Sequence, residues 1–381
     1  MTAAAESTRP AAGPGRAVRP PGASLVFVCM DADTLGGIQR VTHTVAQGLA
    51  ERGYGVQVVG LHRAVHPFRY VERPLYHHHV IHRTPLGPLG RVARWRGDRV
   101  LRGLFDELPP GFVIMTSPGV VARLAELVPP RLRRIGQYHG SYEHARGSWH
   151  LGSIRRQYGK LDQAVFLSED DAWRFTEHAL LPNAYAIPNP LPTWPDAASP
   201  LTGRRVLGVG RLEGVKRFDR LISAFAAASR AVPERWELHL IGDGAERERL
   251  AAHAARHTVT DRVVFRGRVP ASEMGAEYLG AAVLGMSSEH EGLPLVLGEA
   301  AAHGVPSVSF DVSGGVRAAV GDGGVLVPPA DVPAFAEALT ALMASPDERR
   351  RLGDAARAHA WGFHLPHVLD RWERLFSHVS R

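Results

Sequence analysis

The chain has 381 residues, 45% of them hydrophobic, which is enough for two domains with large cores and no disulfides. Its single cysteine, Cys29, excludes an internal disulfide framework and favours a reducing cytoplasm. No apolar run reaches the roughly 18–20 residues that a membrane-spanning helix needs. Residues 1–22 are rich in Ala, Gly, Pro and Arg and lack the apolar core of a secretory signal, so they predict a disordered tail.

The charge is basic, with 45 Lys and Arg residues against 38 Asp and Glu and a formal net charge of +7. Lysine occurs only at Lys160 and Lys216, so nearly all of this charge is arginine. Such arginine use reflects either a compositional bias or an acidic partner: a nucleotide, an anionic membrane face or a phosphate-bearing acceptor. We predict no nucleic-acid partner.

Buried strands and helices alternate along the first half. A continuous apolar run at 24–30 predicts a strand buried on both faces, and Ile38, Val41, Val45 and Leu49 then recur at helical spacing. Further strands are predicted at 56–61, 114–116, 135–138 and 164–167. The segment 184–195 contains four prolines and predicts no regular element, which places a domain junction there.

A second alternating series follows the junction. Its predicted strands lie at 205–209, 236–241, 263–265, 282–286, 305–310 and 325–327, and its helices at 218–229, 245–257, 294–303, 331–343 and 347–361. This alternation predicts an α/β protein with two Rossmann-like, doubly wound parallel-sheet domains facing each other across a cleft. We expect a first domain at 23–188, a linker at 189–200, a second domain at 201–360 and a last helix at 363–378, within residues 361–381.

Two glutamates separated by seven residues form the strongest motif, Glu-Gly-Leu-Pro-Leu-Val-Leu-Gly-Glu. Glu291 follows an apolar strand, and Pro294 is favourable as a first helical residue, which places Glu299 in the second helical turn. Carboxylates accept hydrogen bonds from hydroxyl groups, and free N–H groups near Leu295 and Val296 suit a diphosphate. By spacing alone, a helix cap and a solvated acid explain the motif equally well.

A second motif, Gly-Arg-Leu-Glu-Gly-Val-Lys, places Arg211 and Lys216 in one loop between a strand and a helix. Two cations at the carboxyl end of a strand are typical of a phosphate site. Because arginine is strongly preferred elsewhere in the chain, Lys216 is not explained by composition. The alternative is surface charge beside a tight turn.

Two weaker signals lie in the first half. Thr-Leu-Gly-Gly-Ile at 34–38 follows the first strand, and its glycines let a ligand approach the backbone. This is not a full dinucleotide fingerprint, which argues against a dehydrogenase. His139 follows the strand at 135–138 and so lies at the edge where a cleft is expected; a histidine satisfied by its own loop is the other interpretation.

Other segments are less informative. The histidines at 77–79 are consecutive and point in different directions, so we predict no metal site. The basic segment 91–102, which also contains Val92 and Trp95, predicts either a helix against an anionic membrane or acidic acceptor, or a solvated surface helix. The glycine pairs at 314–315 and 323–324 predict turns near the cleft.

Together these motifs resemble the family 4 retaining glycosyltransferases of the GT-B fold, from about Leu25 to about Ala360. In chain order the motifs are Gly-Gly-Ile, a strand-ending His, Ile-Pro-Asn-Pro, Gly-Arg-Leu…Lys, Ile-Gly-Asp-Gly, Phe-Arg-Gly-Arg-Val and Glu-Gly-Leu-Pro-Leu…Glu-Ala. The resemblance implies a hexosyltransferase, in cell-envelope biosynthesis, that uses a nucleotide diphosphate sugar. A UDP-sugar is the default donor and GDP-mannose the other choice. It also implies that the last helix returns to the first domain.

The resemblance also implies roles for individual residues. The catalytic set is His139, Arg211, Lys216 and Glu291; the donor-binding set is Gly37, Arg211, Lys216, Gly242, Arg268, Val269, Glu291, Gly292, Leu295, Val296 and Glu299. Arg211 and Lys216 would hold the diphosphate, Glu299 the ribose, and Glu291 with His139 the donor sugar. Gly37 would let the first domain approach the phosphate, and the backbone at Arg268 and Val269 would face the base. Cations and a helix dipole would stabilise the diphosphate, so no divalent metal or other cofactor is expected.

Several alternatives stay open. Arg217 and Pro294 stand where the family often has small residues. A nucleotide-sugar epimerase or phosphorylase of the same fold, or a catalytically silent nucleotide-sugar-binding relative, would share these motifs. The hydroxyl acceptor is a glycan, wall polymer, lipid or small molecule, and the basic segment favours an anionic or membrane-proximal one. We expect a monomer or homodimer in the cytoplasm, or peripheral at the inner face of the membrane.

Overall fold

A computed structural model describes residues 22–380, which form two parallel β-sheets flanked by helices. The predicted disordered tail, residues 1–22, lies outside the described residues except for Gly22. The strands of the first sheet are β1 (Ser24–Asp31), β2 (Gly55–His62), β3 (His77–His82), β4 (Gly111–Met115), β5 (Leu132–Gln137), β6 (Gln163–Phe166) and β7 (Ala184–Ala186). Those of the second sheet are β8 (Arg205–Val209), β9 (Glu237–Ile241), β10 (Val263–Gly267), β11 (Val283–Met286), β12 (Ser307–Phe310) and β13 (Gly324–Val327).

Helices connect and cover the strands of both sheets. The helices around the first sheet are α1 (Gly37–Glu51), α2 (Arg91–Asp106), α3 (Pro118–Leu124), α4 (Tyr142–Arg146), α5 (Trp149–Gln157) and α6 (Glu169–Ala179). Those that follow are α7 (Phe218–Ala231), α8 (Arg247–Arg256), α9 (Met274–Leu279), α10 (Leu295–Ala302), α11 (Gly314–Val320), α12 (Val332–Ala344), α13 (Pro346–Ala360) and α14 (Leu365–Val379). None of the described helices is long and apolar enough to span a bilayer.

The strand order shows where each domain can bind a ligand. The first sheet has the order β3-β2-β1-β4-β5-β6-β7 and the second the order β10-β9-β8-β11-β12-β13. The order reverses beside β1 in one sheet and beside β8 in the other. At such switch points the loops leave the carboxyl ends of two neighbouring strands in opposite directions and open a crevice for a ligand. The predicted fold, two doubly wound parallel-sheet domains, is therefore confirmed.

The last helix, α14, packs on the first sheet, as predicted. Its Trp372 lies 6.1 Å from Phe27 of β1, and Phe376 stacks at 4.5 Å on Phe112 of β4, measured between ring centroids. Arg52, just after α1, donates to Glu373 of the same helix at 2.6 Å. An amphipathic helix buries its apolar face wherever a complementary surface is available, and here that surface belongs to the first domain.

The structure corrects several local predictions. The edge strands β3 and β7 were not predicted, because one is rich in histidine and the other has only three residues beside a proline-rich segment. Helices α3 to α6 were also missed. Pro294 is the N-cap and not the first residue of α10. Gly314 and Gly315 are the first residues of α11 and not a turn, since the side chain of Ser313 caps that helix.

Candidate active site

Lys216 and Glu291 meet at the switch point of the second sheet. Lys216 lies in the loop after β8 and Glu291 in the loop after the neighbouring strand β11, and the distance from Nζ to Oε1 is 2.6 Å. Their side chains are only 23% and 12% exposed. Ser287 ties the two loops together by donating its hydroxyl to the carbonyl oxygens of Lys216 and Arg217 at 3.0 and 2.8 Å. The predicted cation and the predicted carboxylate are thus one unit.

Glycines allow the neighbouring loops to approach closely. Gly242 has a positive φ of 133°, and its amide donates to the carbonyl of Gly267 at 2.8 Å. A Cβ at Gly242 would overlap the carbonyl oxygen of Gly210, so a side chain there would separate the loops after β8 and β9. Gly242, a predicted site residue, is therefore required for the close approach of these two loops beside the candidate phosphate site.

The side chains of two predicted site residues, Arg211 and Arg268, extend into solvent. The Arg211 side chain is 73% exposed and pairs with Glu213 at 3.2 Å, and the Arg268 side chain is 77% exposed, 4.0 Å from Asp243. Neither guanidinium is bonded to Lys216 or Glu291. Val269, the next predicted residue, is half-buried and packs against the core of the second domain.

The amino end of α10 carries the other half of the motif. The helix begins at Leu295, so the amides of Leu295 and Val296 lie in its first turn, where N–H groups have no intrahelical acceptor. Glu299 lies in the second turn, as predicted. Its Oε1 forms an ion pair of 2.6 Å with Arg40 of α1, and its Oε2 accepts a hydrogen bond from the Tyr278 hydroxyl at 2.7 Å.

The glycine loop of the first domain comes close to this helix. Gly37 is the first residue of α1, and a Cβ placed on it would meet nothing within 4 Å. Tyr70 anchors the loop, because its hydroxyl donates to the Thr34 carbonyl at 2.6 Å and accepts from the Gly36 amide at 2.7 Å. The Arg40–Glu299 ion pair brings the amino ends of α1 and α10 together across the cleft.

His139 lies against the Glu291 loop from the opposite domain. A Cβ at Gly292 would overlap the carbonyl oxygen of His139, so the two backbones are in contact. The Nε2 atom of His139 is buried and has no hydrogen-bond partner among the described residues. Burial lowers the pKa of His139 to about 4, so the imidazole is neutral at physiological pH. An unsatisfied buried nitrogen in a cleft is suited to a ligand hydroxyl.

Ion pairs also bridge the cleft beside these loops. Arg317 of α11 contacts Asp170 of α6 at 2.6 Å and its own domain's Asp311 at 2.6 Å. Asn189, in the junction, donates to the carbonyl of Leu293 at 2.8 Å. The two domains are therefore held in a closed arrangement.

A cluster of aromatic rings lies next to Glu291 on the first-domain side. The ring of His144 is 5.4 Å from His290 and 5.4 Å from His150, measured between centroids. His150 accepts or donates a hydrogen bond of 3.0 Å with the Tyr138 hydroxyl, and the neighbouring Trp149 is largely exposed. These rings lie beside the Glu291 loop, at the boundary between the two domains.

The histidine segment is part of strand β3, so its side chains alternate between the two faces of the sheet. His79 bonds Gln57 at 2.7 Å, whereas His78 lies 5.6 Å from the His43 ring on the other face. Within the part of the chain that the structure describes, no three His, Cys, Asp or Glu side chains are grouped to hold a metal ion.

Two contacts of the site were not predicted. Arg40 follows Gly37 by three residues and so shares its helical face, a spacing that would have been a usable signal. Tyr278 could not be found in this way, because its helix, α9, contains none of the motifs and is separate from α10 in the sequence. Both residues contact the same carboxylate, Glu299.

Two family descriptions together match most of the chain. Residues 35–194 match "Glycosyltransferase Family 4", and residues 195–359 match "Glycosyl transferases group 1". The boundary between the two matches falls at the proline-rich junction.

Several curated proteins are similar over long stretches. An exopolysaccharide phosphotransferase of Streptomyces coelicolor is 30% identical over 94% of this chain and 41% of its own length, so the chain spans about two fifths of that relative. The amylovoran biosynthesis glycosyltransferase AmsD of Erwinia amylovora is 24% identical over 90% of this chain and 96% of its own length. A D-inositol 3-phosphate glycosyltransferase of Nocardia farcinica is 36% identical over 42% of this chain and 38% of its own length.

Solved structures share the fold at low sequence identity. Sucrose-phosphate synthase from Thermosynechococcus elongatus superposes with a TM-score of 0.79 at 20% identity, covering 94% of this chain and 99% of that one. HepE of Anabaena, in complex with UDP, superposes with a TM-score of 0.75 at 17% identity, covering 93% of this chain and 100% of its own.

Proposed function

We propose that the chain, which belongs to the family 4 glycosyltransferases and has the GT-B fold, transfers a hexose, with retention of configuration, from a UDP-sugar to a hydroxyl acceptor. The observation that carries the proposal is the convergence of the Lys216–Glu291 pair, the amino end of α10 and the His139 loop in one cleft. A uridine nucleotide is proposed because UDP is bound in the HepE structure.

The proposed roles follow from the chemistry of each group. Lys216 has three N–H donors, so it can keep Glu291 and still bind a phosphate oxygen, and Arg211 can swing in from solvent as a second cation. The free amides of Leu295 and Val296 bind the diphosphate at the positive end of a helix. These groups would stabilise the leaving diphosphate without a divalent metal.

Sugar and nucleoside would occupy opposite ends of this phosphate site. His139 and Glu291 lie on the side where a donor sugar would sit, and the unsatisfied Nε2 of His139 would accept or donate a hydroxyl hydrogen bond. Glu299 would bind the ribose, and the backbone after β10, at Arg268 and Val269, would face the base. The absence of a side chain at three positions, Gly37, Gly242 and Gly292, would allow the backbone to approach the donor closely.

Transfer would then proceed on one face of the sugar. The acceptor hydroxyl attacks the anomeric carbon from the side on which the diphosphate departs, the bond to the diphosphate oxygen breaks, and that oxygen takes the hydroxyl proton. Because the departing diphosphate oxygen takes the proton, neither His139 nor Glu291 is needed as the base in this scheme. The acceptor would approach past the rings of His144, His150 and His290.

The exposed face of α2 supports a membrane-proximal acceptor. Five arginines on this helix are exposed, namely Arg91, Arg94, Arg96, Arg99 and Arg102. Among the described residues no carboxylate forms an ion pair with any of the five. Among these arginines lie Val92, which is 62% exposed, and Trp95, which is 58% exposed. Leu101 and Phe105 of the same helix are buried in the core. Cations around an exposed Trp match the chemistry of an anionic bilayer surface.

A sedimentation assay with vesicles tests this location. The variant Arg96→Glu/Arg99→Glu should lose binding to vesicles that contain anionic lipid, and the same double reversal at Arg204 and Arg230, which are exposed on the second domain, should not. Equal binding by both variants would refute a role for α2. Binding of a soluble anionic polymer but not of vesicles would assign this face to a wall-polymer acceptor.

A thermal-shift panel tests the donor site. Uridine, guanosine, adenosine and thymidine diphosphates, each with and without EDTA, should give one strong shift that EDTA does not change, because a ligand that binds only the folded state raises its stability. A shift with uridine diphosphate supports the proposal. No shift with any of the four would contradict it, and free isomerised nucleotide sugar without an acceptor would favour an epimerase.

A further inference from the structure

We infer that Arg40, a residue of the first domain, is a positioning residue for the nucleotide: its guanidinium orients the carboxylate of Glu299, so that the two domains recognise the ribose jointly. The inference rests on the proposed function, since it takes Glu299 as the ribose-binding group. Arg40 lies in α1 and Glu299 in α10, and Nη1 is 2.6 Å from Oε1. The two side chains are 36% and 14% exposed.

Arg40 is not required to hold its own loop. The loop before α1 is fixed by Tyr70, and by Gln39, whose side-chain amide donates to the Asp31 carbonyl at 3.1 Å. The backbone amide of Arg40 makes the first helical hydrogen bond, to the Gly36 carbonyl at 3.0 Å, which any residue would make. The Arg40 side chain is therefore available to act across the cleft.

The Glu299 carboxylate is held from both domains. Oε1 faces Arg40, and Oε2 accepts from the hydroxyl of Tyr278, a buried residue of the same domain. Burial and the neighbouring Glu299 charge raise the pKa of Tyr278, so its hydroxyl keeps its proton. A cation beside one oxygen and a hydroxyl donor on the other hold the carboxylate from both domains.

This arrangement leaves capacity for two more hydrogen bonds. An ionised carboxylate has about four lone-pair sites, and among the described residues Tyr278 occupies one of them, on Oε2, whereas Oε1 is buried beside Arg40 and accepts no hydrogen bond. The unused lone pair of Oε2 and the unsatisfied Oε1 suit the two adjacent hydroxyls of a ribose, each donating one hydrogen bond. Without Arg40 the half-buried carboxylate would lose its cation partner, keep only the hydrogen bond from Tyr278 and bind the diol less well.

The coupling between Arg40 and the ribose hydroxyls can be measured directly. The ligands are the nucleoside diphosphate that stabilises the protein most and its 2′,3′-dideoxy analogue, and calorimetry gives the affinity of each for the wild type and for Arg40→Gln. We expect Arg40→Gln to weaken the natural ligand about tenfold, the scale of one charge-assisted hydrogen bond, and to leave the dideoxy analogue unchanged. Arg40→Lys should recover part of the loss.

Two further variants separate this inference from its alternatives. Arg317→Gln breaks a different ion pair across the cleft, with Asp170, and should affect both ligands equally. Glu299→Gln should abolish the preference for the ribose hydroxyls.

The outcomes are distinct. If Arg40→Gln weakens both ligands equally, or neither, the inference is wrong, even where Glu299→Gln still removes the preference and the proposed function stands. If the wild type binds no nucleoside diphosphate, the proposed function fails and the inference fails with it.

Discussion

Replacing Lys216 by methionine removes the one cation that pairs with Glu291 within residues 22–380 and nearly keeps the length of the side chain. In the wild type the two charges are 2.6 Å apart at the carboxyl ends of β8 and β11, and both are largely shielded from solvent. The variant leaves an uncompensated carboxylate beside the position proposed for the donor diphosphate. We expect a severe loss of activity in a protein that still folds.

The size of the loss follows from two contributions. Two unit charges about 4 Å apart interact by about 4 kcal/mol at an effective dielectric constant of about 20, so an unpaired Glu291 at such a distance would repel the diphosphate by an energy of that order. Removing one donor from a preorganised anion site typically costs about 10²- to 10³-fold in kcat. We therefore expect kcat/KM for Lys216→Met to fall by at least about 10²-fold. Stability should fall by only about 1–2 kcal/mol, because the pair retains some solvent access.

The chain supplies its own control, since Lys160 is its only other lysine and is exposed. Lys160→Met should keep wild-type kinetics, and an amine-reactive label should be blocked at Lys216, but not at Lys160, by the bound nucleoside diphosphate. Adding Glu291→Gln to Lys216→Met should restore stability without restoring activity. A kcat/KM for Lys216→Met within threefold of the wild type would refute the reasoning and remove Lys216 from the site.

Three other predictions follow from the site. Gly37→Ala should fold with equal or slightly greater stability, since a Cβ there meets nothing within 4 Å, yet raise KM for the donor; an unchanged KM in steady-state kinetics would exclude a phosphate at this position. Gly292→Ala should lower both melting temperature and activity, because its Cβ would overlap the carbonyl oxygen of His139; a fully active, equally stable variant would contradict the closed contact. Burial lowers the pKa of His139 from 6.5 to about 4, so the unfolded chain binds a proton first and stability should decline as pH falls from about 6.5 towards 4, by about 2–3 kcal/mol for this residue. Urea titrations at pH 7.5 and 4.5 should show a smaller difference for His139→Asn, and an identical difference would contradict the buried neutral state.

The sequence predicted the second domain better than the first. The motifs around Lys216 and Glu291 are strand–loop–helix units, in which an apolar run, a glycine and a periodic helix follow one another, so their local order already places them at a sheet edge. In the first domain, β3 is a histidine-rich edge strand and β7 has three residues, and neither contains an apolar run. Helix α11 starts with two glycines, and such a pair predicts a turn from sequence, although Ser313 caps the helix just before them.

What the sequence did not predict is which residues of the two domains contact each other across the cleft. Arg40 and Glu299 belong to different sheets, and no periodicity or spacing connects residues whose proximity depends on how two domains pack. The same is true of His139 and Gly292. Local patterns report which residues lie at the end of each strand, whereas the relative position of two strand ends in different domains is a property of the folded chain.

The two carboxylates of the motif are each paired with a cation, but from different domains: Glu291 with Lys216 of its own domain and Glu299 with Arg40 of the other. Both cations have spare N–H donors, so a donor could bind without first breaking either pair. The Glu291 pair would persist if the domains separated, whereas the Glu299 pair would not. A nucleotide that requires an oriented Glu299 therefore favours the closed arrangement, and by linkage closure strengthens nucleotide binding by the same factor. Recognition of the ribose is then the interaction that couples donor binding to domain closure.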